Sequence, residues 1–321
     1  MAMTNPMRKP LKYILGETTH LYDCETFNHC STLLSADEEL LVAFYTCDHE
    51  CSDNQRVVLT NNKTTIEFED GTGNPVLYKD ALGDNYILYS KFVDNPFIAR
   101  PVMKWAFCDL FIRKIEDVGS LKCSEPVKLA DSGQHLLGRC TPIVSNGKTI
   151  LPLYDEYAGE CVLYSGNGFD FSEFKRFGSC EIQPAIWYDG NLNALTRNFR
   201  SNNFYSKIHV GDSSSVTSIP NNNSSIAVLY YMNSLLYVYN NTVGMRRKDL
   251  SVGVYTGSKN FQNLMRLDSY GSYPTIIGHR DGFAISYTSF YKTIKVRWFS
   301  NNHFFSAASV CMPESQTDIL F

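Results

Sequence analysis

Apolar residues along this chain fall into runs of four to seven, broken by short clusters of Gly, Asn, Asp and Ser. Such a texture predicts strands joined by tight turns. One arrangement recurs six times: "HCSTLLSADEELLVAFYT" from His29, "GNPVLYKDALGDNYILYSK" from Gly73, "RCTPIVSNGKTILPLYDE" from Arg139, "EIQPAIWYDGNLNALTRN" from Glu181, "NSSIAVLYYMNSLLYVYNN" from Asn223 and "GSYPTIIGHRDGFAISYTS" from Gly271. Each copy has a polar lead-in, an apolar strand, a tight polar turn, a second apolar strand and a polar end. Four of the six carry Pro just ahead of the expected first strand.

The copies start 44, 66, 42, 42 and 48 residues apart, with weaker strand patterns such as "VVLTNN", "WAFCDLFIRKI", "CVLYSGNGFDF" and "LSVGVYTG" between them. Six units at this period predict an all-β fold, a six-bladed β-propeller of four-stranded antiparallel blades. A sandwich or an irregular barrel pair is the competing architecture, but neither demands so even a spacing. Residues 1–10 are expected to be a flexible N-terminal segment and 11–321 a single propeller domain. "LKYILGE" is expected to supply the outer strand of the last blade beside "IKVRWFS" and "HFFSAASV", which removes an open sheet edge.

In a propeller blade the innermost strand lines the central channel and the next strand returns antiparallel, so the start of the first and the end of the second meet at one mouth. Arg197, which abruptly ends an apolar strand, is thereby delivered to that mouth. Strand starts supply His29, Asn74, Arg139, Gln183, Asn223 and Tyr273; strand ends supply Lys91, Asp155 with Glu156, Arg197, Asn240, and Tyr287 with Thr288. Cations, carboxylates, amides and tyrosines converging on one concavity suit a small polyhydroxylated and anionic ligand. Taken singly, an Asn or Gln before a strand is a turn residue bonding its own backbone, and Arg139 or Arg197 could bridge blades through Asp155 or Glu156. The convergence of six copies favours the pocket.

Composition narrows the function classes. The net charge is −4 and the pI about 6, with no block of like charges, which argues against a general nucleic-acid binder. No apolar run reaches the roughly 18 residues of a membrane span, and the first residues lack the apolar core of a secretory signal. The expected location is cytoplasmic, or exported without a visible signal, with no membrane partner. Ten cysteines without framework spacing are expected to be reduced. "CDHEC", Cys47 to Cys51, has no second ligand pair at a recognisable spacing, so it reads as a loop, with neither metal nor cofactor expected.

From about His29 to Phe299, the succession "HCSTLL", "NPVLY", "TPIV…ILPLYDE", "IQPAI…LNALTRN", "RKDLSVGV" and "SYPTII…FAISYT" resembles the sialidase-like propellers with Asp-box (bacterial neuraminidase) repeats. Asp-boxes read roughly Ser-x-Asp-x-Gly-x-x-Trp; here "YSGNGFDF" and "YTGSKNF" keep only the turn, without Trp. The family's Phe-Arg-Ile-Pro opening is also missing, and His29 holds roughly the place of its Arg. The resemblance implies a six-bladed propeller and exo-sialidase-type hydrolysis, with an arginine cluster, an acid/base carboxyl and a Tyr nucleophile polarised by Glu. By position it implies Asp48 or Glu50 as the acid, Arg139, Arg197 and Arg247 as the cations, Tyr273 or Tyr287 as the tyrosine and Glu156 as its partner. A propeller that binds a glycan or small anion without turnover is the alternative.

Overall fold

The computed structural model describes residues 18–22, 26–36, 38–93, 101–199, 204–255 and 261–301, and their strands build six antiparallel sheets that follow one another in chain order around a ring. The innermost strands are Phe27–Ala36, Thr72–Lys79, the interrupted pair Leu136–Gly138 and Ile143–Ser145, Glu181–Tyr188, Ala227–Tyr231 and Gly271–His279. The second strands are Glu39–Cys47, Asn85–Phe92, Lys148–Asp155, Leu192–Asn198, Ser234–Asn240 and Gly282–Ser289. We number the blades 1 to 6 in that order. The fold is a six-bladed β-propeller.

Second strands are apolar along most of their length because both of their faces are covered. Leu41, Ala43 and Leu59 of blade 1 pack on Leu77, Ile87 and Tyr89 of blade 2. Across the closure, Leu33, Val42 and Phe44 meet Ile277, Ala284, Ile294 and Val296 of blade 6. Burial of each such side chain contributes about 1.5–3 kcal/mol. Outer strands lose this cover, and Asp170–Phe177, "DFSEFKRF", is accordingly mostly exposed or half-buried.

Ring closure also uses the chain's first described strand. Thr18–Tyr22 pairs antiparallel with Thr293–Ser300 as the outer strand of blade 6. The stretch expected to do this, around residues 13–16, lies outside the described residues, as do residues 1–10 and "HFFSAASV". "YSGNGFDF" turns between the third and fourth strands of blade 3, where Asn167 accepts from the backbone N and Oγ1 of Thr149 and donates to the Gly147 carbonyl. Most of "YTGSKNF" lies outside the described residues.

Of the four prolines expected just ahead of the first strands, Pro142 stands there, directly before Ile143–Ser145, and the other three lie inside their strands. Pro75, Pro184 and Pro274 follow Asn74, Gln183 and Tyr273, whose φ values are +46°, +55° and +50°. At each of these places the pairing register slips, between Gly73 and Val76, Ile182 and Ala185, and Ser272 and Thr275. Blade 1 has the same slip between His29 and Thr32, with Cys30 at φ +55° and no Pro, and blade 3 breaks its inner strand between Gly138 and Ile143. These are β-bulges, with one residue added to the strand beside the channel. Proline is tolerated there because an innermost strand is a sheet edge and its outward N–H has no ladder partner to lose.

The eight described cysteines are free. No helix among the described residues is long and apolar enough to cross a membrane.

Candidate functional site

The bulges turn side chains of opposite blades toward one another. Arg139, at the strand break of blade 3, is 2% exposed and reaches across the channel to blade 6, where its Nη2 donates to the carbonyls of Tyr273 and Pro274 at 2.5 and 3.1 Å. It is a strut between blades 3 and 6. Its Nε and Nη1 have no partner among the described residues.

Tyr273, on the blade 6 bulge, is the hub of the cluster. The guanidinium carbon of Arg247 lies 4.5 Å from its ring centre and that of Arg139 5.3 Å, while Arg247 Nη2 donates to its hydroxyl at 3.3 Å. Arg247 Nε donates to the Asn223 carbonyl at 2.5 Å, and its Nη1 donates to His29 Nε2 at 2.7 Å. Because a guanidinium can only donate, His29 Nε2 must accept, and the imidazole is neutral with its proton on Nδ1. Burial, then Arg247 and Arg139, hold the His29 pKa well below its ordinary value.

Arg197 enters from blade 4. The second strand of that blade pairs Arg197 with Ile182, and the adjacent bulge residue Gln183 accepts from Arg197 Nη1 at 3.2 Å. Gln183 Nε2 in turn donates to the Tyr154 hydroxyl at 3.5 Å, and Tyr154 packs in the central cluster with Cys30, Tyr45 and Trp105 and against Tyr273. Glu50, in the loop after the second strand of blade 1, accepts at its Oε1 from the Tyr45 hydroxyl at 3.4 Å. Burial raises the Tyr45 pKa well above its ordinary value and pushes the Cys30 thiol up to about 12. Asn74 is buried on the blade 2 bulge, and a Cβ on the preceding Gly73 would crowd the Gln55 amide and meet the Trp105 ring at 2.7 Å, so the glycine lets these groups approach.

His29, Arg139, Gln183, Arg197, Arg247 and Tyr273 thus come together, with Glu50 at their edge and Asn223 contributing its backbone. Lys91 does not join them. The register facing the bulge holds Tyr45 in blade 1, Ser90 in blade 2, Arg197 in blade 4 and Thr288 in blade 6. Lys91 is one residue past it and turns to Glu69, 3.5 Å away, beside Arg113. By the same alternation Tyr287 lies one residue before it and is buried in the core between blades 5 and 6. Asp155 accepts from the Tyr157 and Ala158 backbones and faces Arg176, so it closes a turn and is not a bridge to Arg139 or Arg197. Glu156 lies near Tyr154, Asn240 ties the Lys248 and Gly271 carbonyls, and Asp48 is exposed in the 47–55 loop. Tyr45, Tyr154, Trp105, Gln55 and Tyr291 were not singled out from the sequence.

A family model described as a BNR repeat-like domain matches residues 35–285. The chain belongs to this family. No curated protein matches it. Among solved structures, the BNR chain is similar to Trypanosoma rangeli sialidase in complex with the inhibitor DANA, at 13% identity and TM-score 0.62, over 89% of this chain and 57% of that one. It therefore spans less than two thirds of that sialidase's length. It is also similar to Penicillium chrysogenum α-L-arabinanase complexed with arabinobiose, at 10% identity and TM-score 0.61, over 88% of this chain and 98% of that one. The fucose-specific lectin of Aleuria aurantia is a further match, at 11% identity and TM-score 0.52, over 86% of this chain and 93% of that one. At these identities the likeness is one of fold, shared by two glycoside hydrolases and a lectin.

Proposed function

We propose that the protein is a sialidase-like glycoside hydrolase whose channel mouth takes the anionic end of a glycan. The observation that carries this reading is the state of Arg139, Arg197 and Arg247. They come from three blades, Arg139 and Arg197 are buried and Arg247 is half-buried, and each is held by neutral acceptors, with no ion pair to a carboxylate among the described residues. Buried charge without a counterion is costly, and an anionic ligand would offset that cost while gaining charge-assisted hydrogen bonds. Arg197 and Arg247 would grip the carboxylate, Arg139 would form the floor, Tyr273 would stand beside the reacting carbon and Glu50 would serve as the acid.

One observation favours a second reading, a propeller that binds such a glycan without turnover. The described hydroxyl bond of Tyr273 comes from Arg247, and the bulge residue beside Arg197 is the amide Gln183. A guanidinium stabilises a phenolate but cannot take its proton, so with Glu50 as the acid the hydrolase needs its base from Glu156. The test is a screen of acidic sugars and their glycosides for binding and turnover, with products read by mass spectrometry. Release of free sugar selects the hydrolase and tight binding of an unaltered glycoside selects the second reading. No binding of any acidic sugar would sink both.

A further inference from the structure

The turn between the second and third strands of blade 6 breaks a local rule. Lys292 N donates to the Ser289 carbonyl at 3.1 Å, and the two residues between, Phe290 and Tyr291, have φ values of +54° and +59°. Turns with positive φ at both central positions are built from Asn, Asp and Gly, because a bulky side chain there is strained. Here both positions are aromatic. The strain is held from outside by bonds from Asn28 N to the Tyr291 carbonyl and from Asn28 Nδ2 to the Lys292 carbonyl. Strained residues that are over-determined in this way concentrate at binding sites.

The turn displays an aromatic shelf, two adjoining pairs of rings with Tyr270, Phe290 and Tyr291 exposed, beside Arg247 of the arginine cluster. Tyr291 stacks on Phe27 with ring centres 5.5 Å apart, and the Arg247 guanidinium lies 5.2 Å from its ring. Phe290 is 60% exposed and rests on Tyr270, 4.5 Å away, while Lys248 Nζ stands 5.5 Å from the Tyr270 ring. Arg247 and Lys248 are neighbours in the chain, so the cationic pocket and the shelf share a border. An aromatic plane accepts the apolar C–H face of a pyranose while the hydroxyls of that ring reach donors at its edge, which Lys248 supplies.

We propose that Tyr270, Phe290 and Tyr291 form a second subsite for the sugar linked to the anionic unit, making the ligand an acidic oligosaccharide and not a free acidic sugar. This rests on the reading of the mouth as an anion site. Sialic acid and glucuronic acid, each free and as the terminal unit of a disaccharide with galactose, are titrated calorimetrically against the whole chain. The better-bound acid is expected to gain roughly fivefold to tenfold in affinity as the disaccharide, from contact with the aromatic shelf. Phe290→Asn should abolish that gain, leave the free sugar unchanged and raise the melting temperature, because Asn accepts positive φ. Tyr270→Ala should also remove the gain, without the rise. A free sugar that binds as well as its disaccharide, or a gain that survives Phe290→Asn, overturns the shelf while leaving the mouth intact. Failure of all four probes to bind overturns the mouth and the shelf together.

Discussion

Two sets of charges, from exposed to buried, lie on the same few strands and are treated in opposite ways. On the outer strand of blade 3, Arg176 is surrounded by carboxylates, with Glu160 and Glu173 at 3.1 Å and Asp155 at 3.5 Å. In blade 4, Glu181 is 1% exposed and receives bonds from Thr196 at 2.5 Å, His209 at 2.6 Å and Lys207 at 2.7 Å. Two residues further along the inner strand is Gln183, and next to Thr196 is Arg197, for which a neutral amide is the described partner. Blade 4 can therefore compensate a buried charge from its own residues, and on its channel side it does not. That contrast separates charge that supports the fold from charge kept for a ligand.

The largest effect expected from breaking the contrast is at Arg139. The guanidinium joins blades 3 and 6 through two charge-assisted bonds, each worth about 1.5–3 kcal/mol, and its removal leaves the Tyr273 and Pro274 carbonyls without that donor. Arg139→Ala should lower the unfolding free energy by about 3–5 kcal/mol in urea titrations, the loss of two buried bonds and of the side chain's packing outweighing the relief of a charge without a counterion. A loss below about 1 kcal/mol would mean that the channel does not depend on the strut.

Acid should next expose the compensated side. Burial opposes ionisation of Glu181, but the bonds from His209, Lys207 and Thr196 win and bring its pKa to about 2 from an ordinary 4.5. A carboxyl with a depressed folded pKa stabilises fully above its unfolded value, and that contribution is lost as the pH falls from about 5 toward 2. At neutral pH it is on the order of 3 kcal/mol. Stability measured across this window should drop by that amount more in the native protein than in Glu181→Gln, whose side chain does not titrate there. Parallel pH profiles would contradict the compensation.

Ligand binding should respond to Arg197 without a matching change in stability. Lysine keeps the charge but lacks the planar fork that grips a carboxylate with two bonds. Arg197→Lys should weaken binding of an acidic sugar by roughly 1.5–3 kcal/mol, read by calorimetry, with the melting temperature unchanged. A destabilised variant with normal affinity would make Arg197 a tie between blades.

The period of the copies made the ring legible in the sequence, because covered second strands must be apolar and the turns between them polar. Arg197 was legible for the same reason, as a charge that ends a strand otherwise fit for a core. The bulges were not. A residue with positive φ before Pro adds one position to the inner strand, and strand alternation then decides which side chain faces the channel. Lys91 and Tyr287 were misplaced by a single position, since one step along a strand reverses its face. Arg139 was found by its position, whereas its span to blade 6 depends on residues more than 130 positions away in the chain, which no local pattern encodes. The aromatic turn at Phe290 and Tyr291 resembles no turn signal, because strain held by another blade replaces the usual turn chemistry.

The smallest expected effect belongs to Arg176, and it tests whether carboxylate partners are what distinguishes the two sets. Its guanidinium has three acidic neighbours, yet it is 37% exposed, so solvent screens each pair and the long side chain loses entropy in being held. An exposed pair contributes about 0–1 kcal/mol. Arg176→Ala should therefore cost no more than about 1 kcal/mol in stability, with much of that cost removed by moderate salt. It should leave the affinity for acidic sugars unchanged, because its carboxylates are engaged at the outer strand and its charge is cancelled there. Arg197→Lys, which changes no net charge, should lower that affinity by roughly tenfold or more. A drop in sugar affinity with Arg176→Ala as large as that with Arg197→Lys would show that the ligand responds to the overall field of the molecule and not to the three guanidiniums at the channel mouth.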